Sequence, residues 1–174
     1  RGSGKTAIVR RIARGLLDKS RGKAGRRRRL WATSASQIVA GMVYLGMWQQ
    51  RCIEIVAEVS DTSDVLYVDR LADVLAPSSD GASIAELLGP AVIDGSLTLV
   101  AECDEAELVR ARQKFPALLD AMRVVRVPEA TPAQTISLLE PYGQRQAPPI
   151  GLTHDAARRL VELLGAFRRD TPFP

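Results

Sequence analysis

The sequence predicts an α/β domain built on a parallel sheet with helices on both faces, and three observations carry that expectation. Short apolar runs of strand length recur between longer helical patterns, the alternation that parallel strands with helical crossovers require. The chain opens on Arg1-Gly2-Ser3-Gly4-Lys5-Thr6-Ala7 and runs directly into Ile8, Val9, Ile12, Ala13, Leu16 and Leu17 at helical spacing. A third feature is an apolar run, Val65-Leu66-Tyr67-Val68, that ends in a carboxylate at Asp69.

In chain order, residues 30–33 read as a short strand and residues 34–40 as a short helix capped by Ser34. Residues 47–59 form a longer helical pattern with Cys52, Ile53, Val56 and Val59 inward. The strand at 64–69 follows, then a helix at 84–92, an apolar strand at 97–101 and a charged helix at 105–113. A further strand is expected at 124–127, with helices at 131–139 and 153–164. Pro148 and Pro149 mark a loop between the last two helices, and with no repeat or low-complexity linker residues 1–174 read as one domain.

A chain of 174 residues that is 46% hydrophobic can bury one substantial core. No run of about 18 apolar residues suggests a membrane span, and the expectation is a soluble, cytoplasmic protein. The formal charge of +4 is concentrated: Lys19, Arg21, Lys23 and Arg26 to Arg29 supply seven of the 24 basic residues, and the rest of the chain is mildly acidic. That run lacks interleaved aromatics and sits with Gly22 and Gly25, so a solvated loop is favoured over a nucleic-acid contact. Cys52, Cys103 and the single His154 lie far apart in sequence, which disfavours a metal site or a disulfide framework and favours buried thiols.

Gly4, Lys5 and Thr6 fill the last three positions of G-x-x-x-x-G-K-[ST], in which backbone N–H groups cradle phosphates, the lysine reaches the β/γ-phosphates and the hydroxyl ligates Mg²⁺. The first glycine of that pattern would fall two residues before Arg1, and the strand delivering the loop earlier still, so the chain reads as a fragment. The candidate nucleotide contacts are Gly2, Ser3, Gly4, Lys5, Thr6, Ala7 and Asp69, with ATP and Mg²⁺ as cofactors and Thr6 and Asp69 toward the metal. An aspartate at a strand tip can hold the Mg²⁺ hydration shell opposite the hydroxyl. In an active ATPase of this design a glutamate follows that aspartate and polarises water. Here the position holds Arg70, which neither deprotonates nor accepts a proton.

Further residues make the chain resemble the first ATPase module of Clp-type AAA+ ring unfoldases and disaggregases. Gly4 to Val9 resembles their phosphate loop and helix, and Arg26 to Leu30 the basic lead-in to the second strand. Gly41-Met42-Val43-Tyr44-Leu45-Gly46 resembles the Gly-x-x-Tyr-x-Gly pore loop, and Trp48 to Arg51 the segment after it. Pro90-Ala91, Asp94-Gly95, Ala117-Leu118, Val125 to Glu129 and Phe167 to Pro174 continue the likeness toward the C-terminus. The resemblance implies a P-loop NTPase large subdomain, a parallel three-layer sheet of order 5-1-4-3-2 whose first strand is missing from this fragment, with the C-terminal helical lid also absent. It implies a ring, a hexamer in that family, acting on a polypeptide gripped by Tyr44. Packing of Tyr44 in a core or a ring interface is the alternative.

The departures from that family are concentrated in catalysis. Ala101-Glu102-Cys103-Asp104 stands where the family has Gly-Ala-Thr-Thr, so Asp104 takes the water-sensing position. Asp120 and Ala121 stand where paired arginine fingers would be, groups worth roughly 10³ to 10⁵ in rate. The expectation is a module that binds Mg·ATP and hydrolyses it slowly or not at all. An Arg70–Asp104 ion pair across the strand ends would partly block the water site. Two alternatives stay open: an active unfoldase whose base is relocated to Glu102 or Asp104, and an interaction scaffold that binds no nucleotide.

Overall fold

The computed structural model describes residues 3–19, 28–41, 46–78, 81–146 and 148–167. They group into two compact bodies, one of residues 6–124 and one of residues 125–174 with the first five.

In the first body, α1 (Lys5–Lys19, of which Lys5 belongs to the second body) precedes β1 (Leu30–Thr33), α2 (Ala35–Val39) and α3 (Met47–Thr62). Then come β2 (Val65–Val68), α4 (Leu71–Leu75), α5 (Ile84–Ile93), β3 (Thr98–Ala101), α6 (Glu105–Lys114) and α7 (Pro116–Ala121). The three strands form one parallel sheet in the order β1-β2-β3, registered Leu30 on Val65 and Val65 on Thr98. This is the α/β architecture expected, and its strands are the 4-3-2 portion of the expected order. Parallel pairing demands helical crossovers, and these cover the sheet, so all four residues of the central strand β2 are buried while β1 and β3 are only partly so.

The core joins Leu66 and Val68 of the sheet to Ile38, Trp48, Cys52 and Val59 on one set of helices and to Leu71, Val74, Leu88 and Leu118 on others. The inward stripe of α3 runs through Trp48, Cys52, Ile55, Val56 and Val59, one helical phase away from Ile53, which is 54% exposed and not inward as the sequence suggested. Among the described side chains of α1 Val9 alone is buried, and Ile8 and Ile12 stay about half exposed. The thiol of Cys52 is fully buried, and desolvation pushes it up to about 11 against the nearby Arg51 charge. Cys103 is half-buried, and neither cysteine is in a disulfide.

Two short helices, α4 and α7, go beyond the sequence reading. The strand expected at 124–127 does not form, and Val124 and Val125 are exposed. A lone extended segment gains nothing without a partner strand, and no strand among the described residues pairs with this one.

The second body contains α8 (Pro132–Gln144) and α9 (His154–Phe167). Thr131 caps α8 in a reciprocal box with Gln134, and the helix runs five residues beyond the expected end at 139, through Pro141. Gly143 is required where the chain turns back: a Cβ there would lie 2.8 Å from the Ile150 carbonyl oxygen. No helix among the described residues is long and apolar enough to cross a membrane.

Candidate functional site

Parallel α/β sheets bind ligands outside the carboxyl ends of their strands, and two strand tips here carry charge. β2 runs into Asp69 and Arg70, and β3 into Glu102, Cys103 and Asp104. Two backbone bonds tie these tips together, Glu102 N–H to the Val68 carbonyl at 3.3 Å and Leu71 N–H to the Glu102 carbonyl at 2.8 Å. The register pairs Tyr67 with Val100 and Val68 with Ala101, and Asp69 and Glu102 are the next residues on the two chains. The charges of Glu102 and Asp69 both act on the Tyr67 phenol, so the three groups share one face of the strand tips.

Glu102 is the centre of that face. The Tyr67 hydroxyl donates to its Oε1 at 2.6 Å, and the Thr6 hydroxyl donates to its Oε2 at 3.1 Å. Burial, reinforced by the carboxylate it serves, pushes the Tyr67 phenol up to about 12, so the tyrosine stays a donor throughout the physiological range. Asp69 is exposed and makes no hydrogen bond or ion pair among the described residues. Thr6, Asp69 and Glu102 therefore offer a hydroxyl and two carboxylates, the hard oxygen donor set that suits Mg²⁺.

Arg70 does not reach the position expected of it. Its guanidinium pairs with Glu107 at 3.3 Å and Asp73 at 3.8 Å in place of Asp104. Asp104 is occupied as the N-cap of α6, where its Oδ1 accepts from the Glu107 N–H at 2.8 Å while Glu107 Oε2 accepts from the Asp104 N–H at 2.9 Å. That backbone N–H is the main cause holding the Asp104 carboxyl below its ordinary value. Asp120 and Ala121 are exposed in the last turn of α7.

Ser3, Gly4 and Lys5 fall in the second body. Gly4 adopts φ +79° with open space where a Cβ would stand, a backbone only glycine adopts freely, and Lys5 Nζ donates to Ser3 Oγ at 3.1 Å. This left-handed turn immediately before a helix start is the local form a phosphate loop needs, so Ser3, Gly4 and Lys5 taken by themselves fit the phosphates of a nucleotide. Ala7 follows in the first turn of α1, exposed. Gly2 and Tyr44 lie outside the described residues, as does most of the basic run at 19–29. The flanks of Tyr44 are described: Gly41 and Gly46 both have positive φ, and Arg51 Nη1 donates to the Ile38 and Ala40 carbonyls, closing the end of α2.

No family model matches the chain. A chaperone protein ClpB from Aquifex aeolicus is 28% identical over 167 residues, covering 93% of this chain and 17% of the relative. A ClpB from Bacteroides thetaiotaomicron is 27% identical over 179 residues, covering 99% and 21%. The chain resembles the Clp-type AAA+ chaperones. In fold, it matches a chain of the Saccharomyces cerevisiae Hsp104:casein complex in its extended conformation, with TM-score 0.79 and 20% identity over 98% of this chain and 30% of that one. This Clp-like module spans about a fifth of the length of the curated relatives it matches.

The sequence reading assigned Tyr67 only to a buried strand and gave Glu102 only as a base for the rival hypothesis. The signal that joins them is the strand register, which brings residues 67, 69 and 102 to adjacent strand tips and which no single segment reveals.

Proposed function

We propose that this chain is the ATP-binding module of a Clp-like protein-remodelling ring and that hydrolysis at this site is weak or absent. The observation that carries it is the pairing of an equipped ground-state site with an unequipped catalytic one. Lys5, Thr6 and Asp69 are the residues that would hold Mg·ATP, with Gly2, Ser3, Gly4 and Ala7 supplying backbone N–H groups around the phosphates. Bound Mg²⁺ would supply charge neutralisation at the β/γ-phosphates.

The positions that would stabilise the transition state in the resembled family are replaced or engaged elsewhere. Arg70 holds the place of the water-polarising carboxylate and is committed to Glu107 and Asp73. Asp104 is spent on capping α6, and Asp120 and Ala121 stand in place of cationic fingers. Binding without these groups favours the ground state over the transition state, which gives affinity without turnover. The ring, a hexamer by resemblance, and the polypeptide it would act on come with the same reading, and Tyr44 is the residue that would touch that polypeptide.

The test is a titration of the intact protein with a fluorescent ATP analogue beside a phosphate-release assay, comparing wild type with Lys5→Ala. Saturable Mg²⁺-dependent binding lost in Lys5→Ala, with phosphate release near background in both, is the expected result. No saturation in the wild type would leave an interaction scaffold. Replacing Tyr44 with Ala is expected to abolish polypeptide threading while nucleotide affinity stays unchanged, and undiminished threading would remove the pore assignment.

One observation favours the active rival: Glu102 lies beside Thr6. Phosphate release present in the wild type and lost in Glu102→Gln would establish that reading.

A further inference from the structure

We propose that Glu102 acts as a charge gate that makes nucleotide binding at this module dependent on a divalent cation. The inference rests on the nucleotide-binding reading above and assigns its regulation to one residue.

The argument begins with charge. Asp69 and Glu102 directly follow Val68 and Ala101, the paired last residues of adjacent strands, which run about 4.8 Å apart, and both carboxylates act on the Tyr67 phenol. Neither carboxylate has a cationic partner among the described residues. The nearest guanidinium on these strand tips, that of Arg70, is held by Glu107 and Asp73. A bare triphosphate approaching Thr6 meets two negative charges, whereas Mg·ATP brings the cation that both carboxylates lack.

The hydrogen bonds make this arrangement specific. Thr6 Oγ1 gives its proton to Glu102, which leaves the oxygen lone pairs free to face a cation. Tyr67, itself buried, holds the other Glu102 oxygen at 2.6 Å and prevents the carboxylate from swinging toward solvent when repelled. In the Clp-like pattern that the sequence follows an alanine stands at this position, so the gate belongs to this chain's own residues.

The test uses the intact protein and a fluorescent ATP analogue titrated in excess Mg²⁺ and in EDTA, for wild type, Glu102→Gln, Glu102→Ala, Tyr67→Phe and Lys5→Ala. The wild type is expected to bind on the order of 30-fold more weakly in EDTA. Both Glu102 variants should recover most of that loss in EDTA, reducing the ratio to roughly threefold, and Tyr67→Phe should fall between because it loosens the carboxylate without removing its charge. Glu102→Gln preserves the shape of the side chain, so a ratio that changes in Glu102→Ala but not in Glu102→Gln assigns the effect to packing and overturns the gate. An unchanged ratio in both variants overturns it while leaving nucleotide binding intact. A wild type that binds no better than Lys5→Ala in either buffer overturns the gate together with the nucleotide-binding reading.

Discussion

The central strand β2 has an aspartate at each end, and the two have opposite fates. Asp64, just before the strand, is 1% exposed and accepts from the Arg29 N–H at 2.7 Å, the Arg29 Nε at 2.9 Å and the Trp31 indole at 2.9 Å. Asp69, just after it, is exposed and unpaired among the described residues, and its neighbour Glu102 is met only by hydroxyls. Burial alone would raise the carboxyl of Asp64, but those N–H donors outweigh it and hold the group well below its ordinary range. A carboxylate saturated by N–H donors is committed to structure. One supported only by hydroxyls keeps its charge uncompensated and available to a cation. Arg29 also stacks on Trp31 at 4.7 Å, and Arg28 donates to the Ser63 carbonyl at 2.7 Å, so the two described arginines of the basic run serve the structural end of the sheet.

The largest effect that tests this contrast is on stability. Asp64→Asn strands the donors gathered around a buried charge and is expected to cost about 2 to 4 kcal/mol in urea unfolding. Asp69→Asn is expected to stay within about 0.5 kcal/mol of wild type while weakening Mg²⁺-dependent nucleotide binding. Equal costs at the two positions would erase the distinction. The pH dependence carries a sign as well. The folded-state pKa of Asp64 is depressed from an ordinary value of 3.8, so its contribution is complete above that value and is lost as pH falls below it. The gap between wild type and Asp64→Asn should therefore be constant from pH 7 to 5 and shrink toward pH 3. A gap undiminished at pH 3 would assign the cost to packing and not to charge.

Local pattern made much of the fold legible. Strand-length apolar runs marked all three strands, and Ser34 marked the start of α2, where its hydroxyl accepts from the Gln37 N–H. What failed is what local pattern cannot carry. The phase of α3 differs because Trp48 and Ile55 take the inward places given to Ile53. Helices α4 and α7, of five and six residues, are too short to show a period. The Gly4-Lys5-Thr6 motif and the strand-tip Asp69 stand out in the sequence as local patterns, whereas the contact of Glu102 with Thr6 spans 96 positions and that with Tyr67 spans 35. Such contacts follow from strand pairing, and the fate of Asp64 does too, since Arg29 and Trp31 lie at the start of a different strand.

The smallest effect is the most discriminating for the open end of the sheet. Arg70 is 45% exposed and its partner Glu107 only 13%, so Arg70→Ala should cost about 0.5 to 1 kcal/mol, and less at high salt. Glu107 loses one partner yet keeps the Asp104 N–H, which limits the penalty. Because Arg70 is drawn toward α6, its removal should change nucleotide affinity less than twofold in either Mg²⁺ or EDTA. A drop of about tenfold in EDTA alone would mean that the guanidinium leaves Glu107 to meet the phosphates. In that case the strand tips would carry their own counter-cation, and the contrast between a neutralised and an uncompensated end of the sheet would hold only while the site is empty.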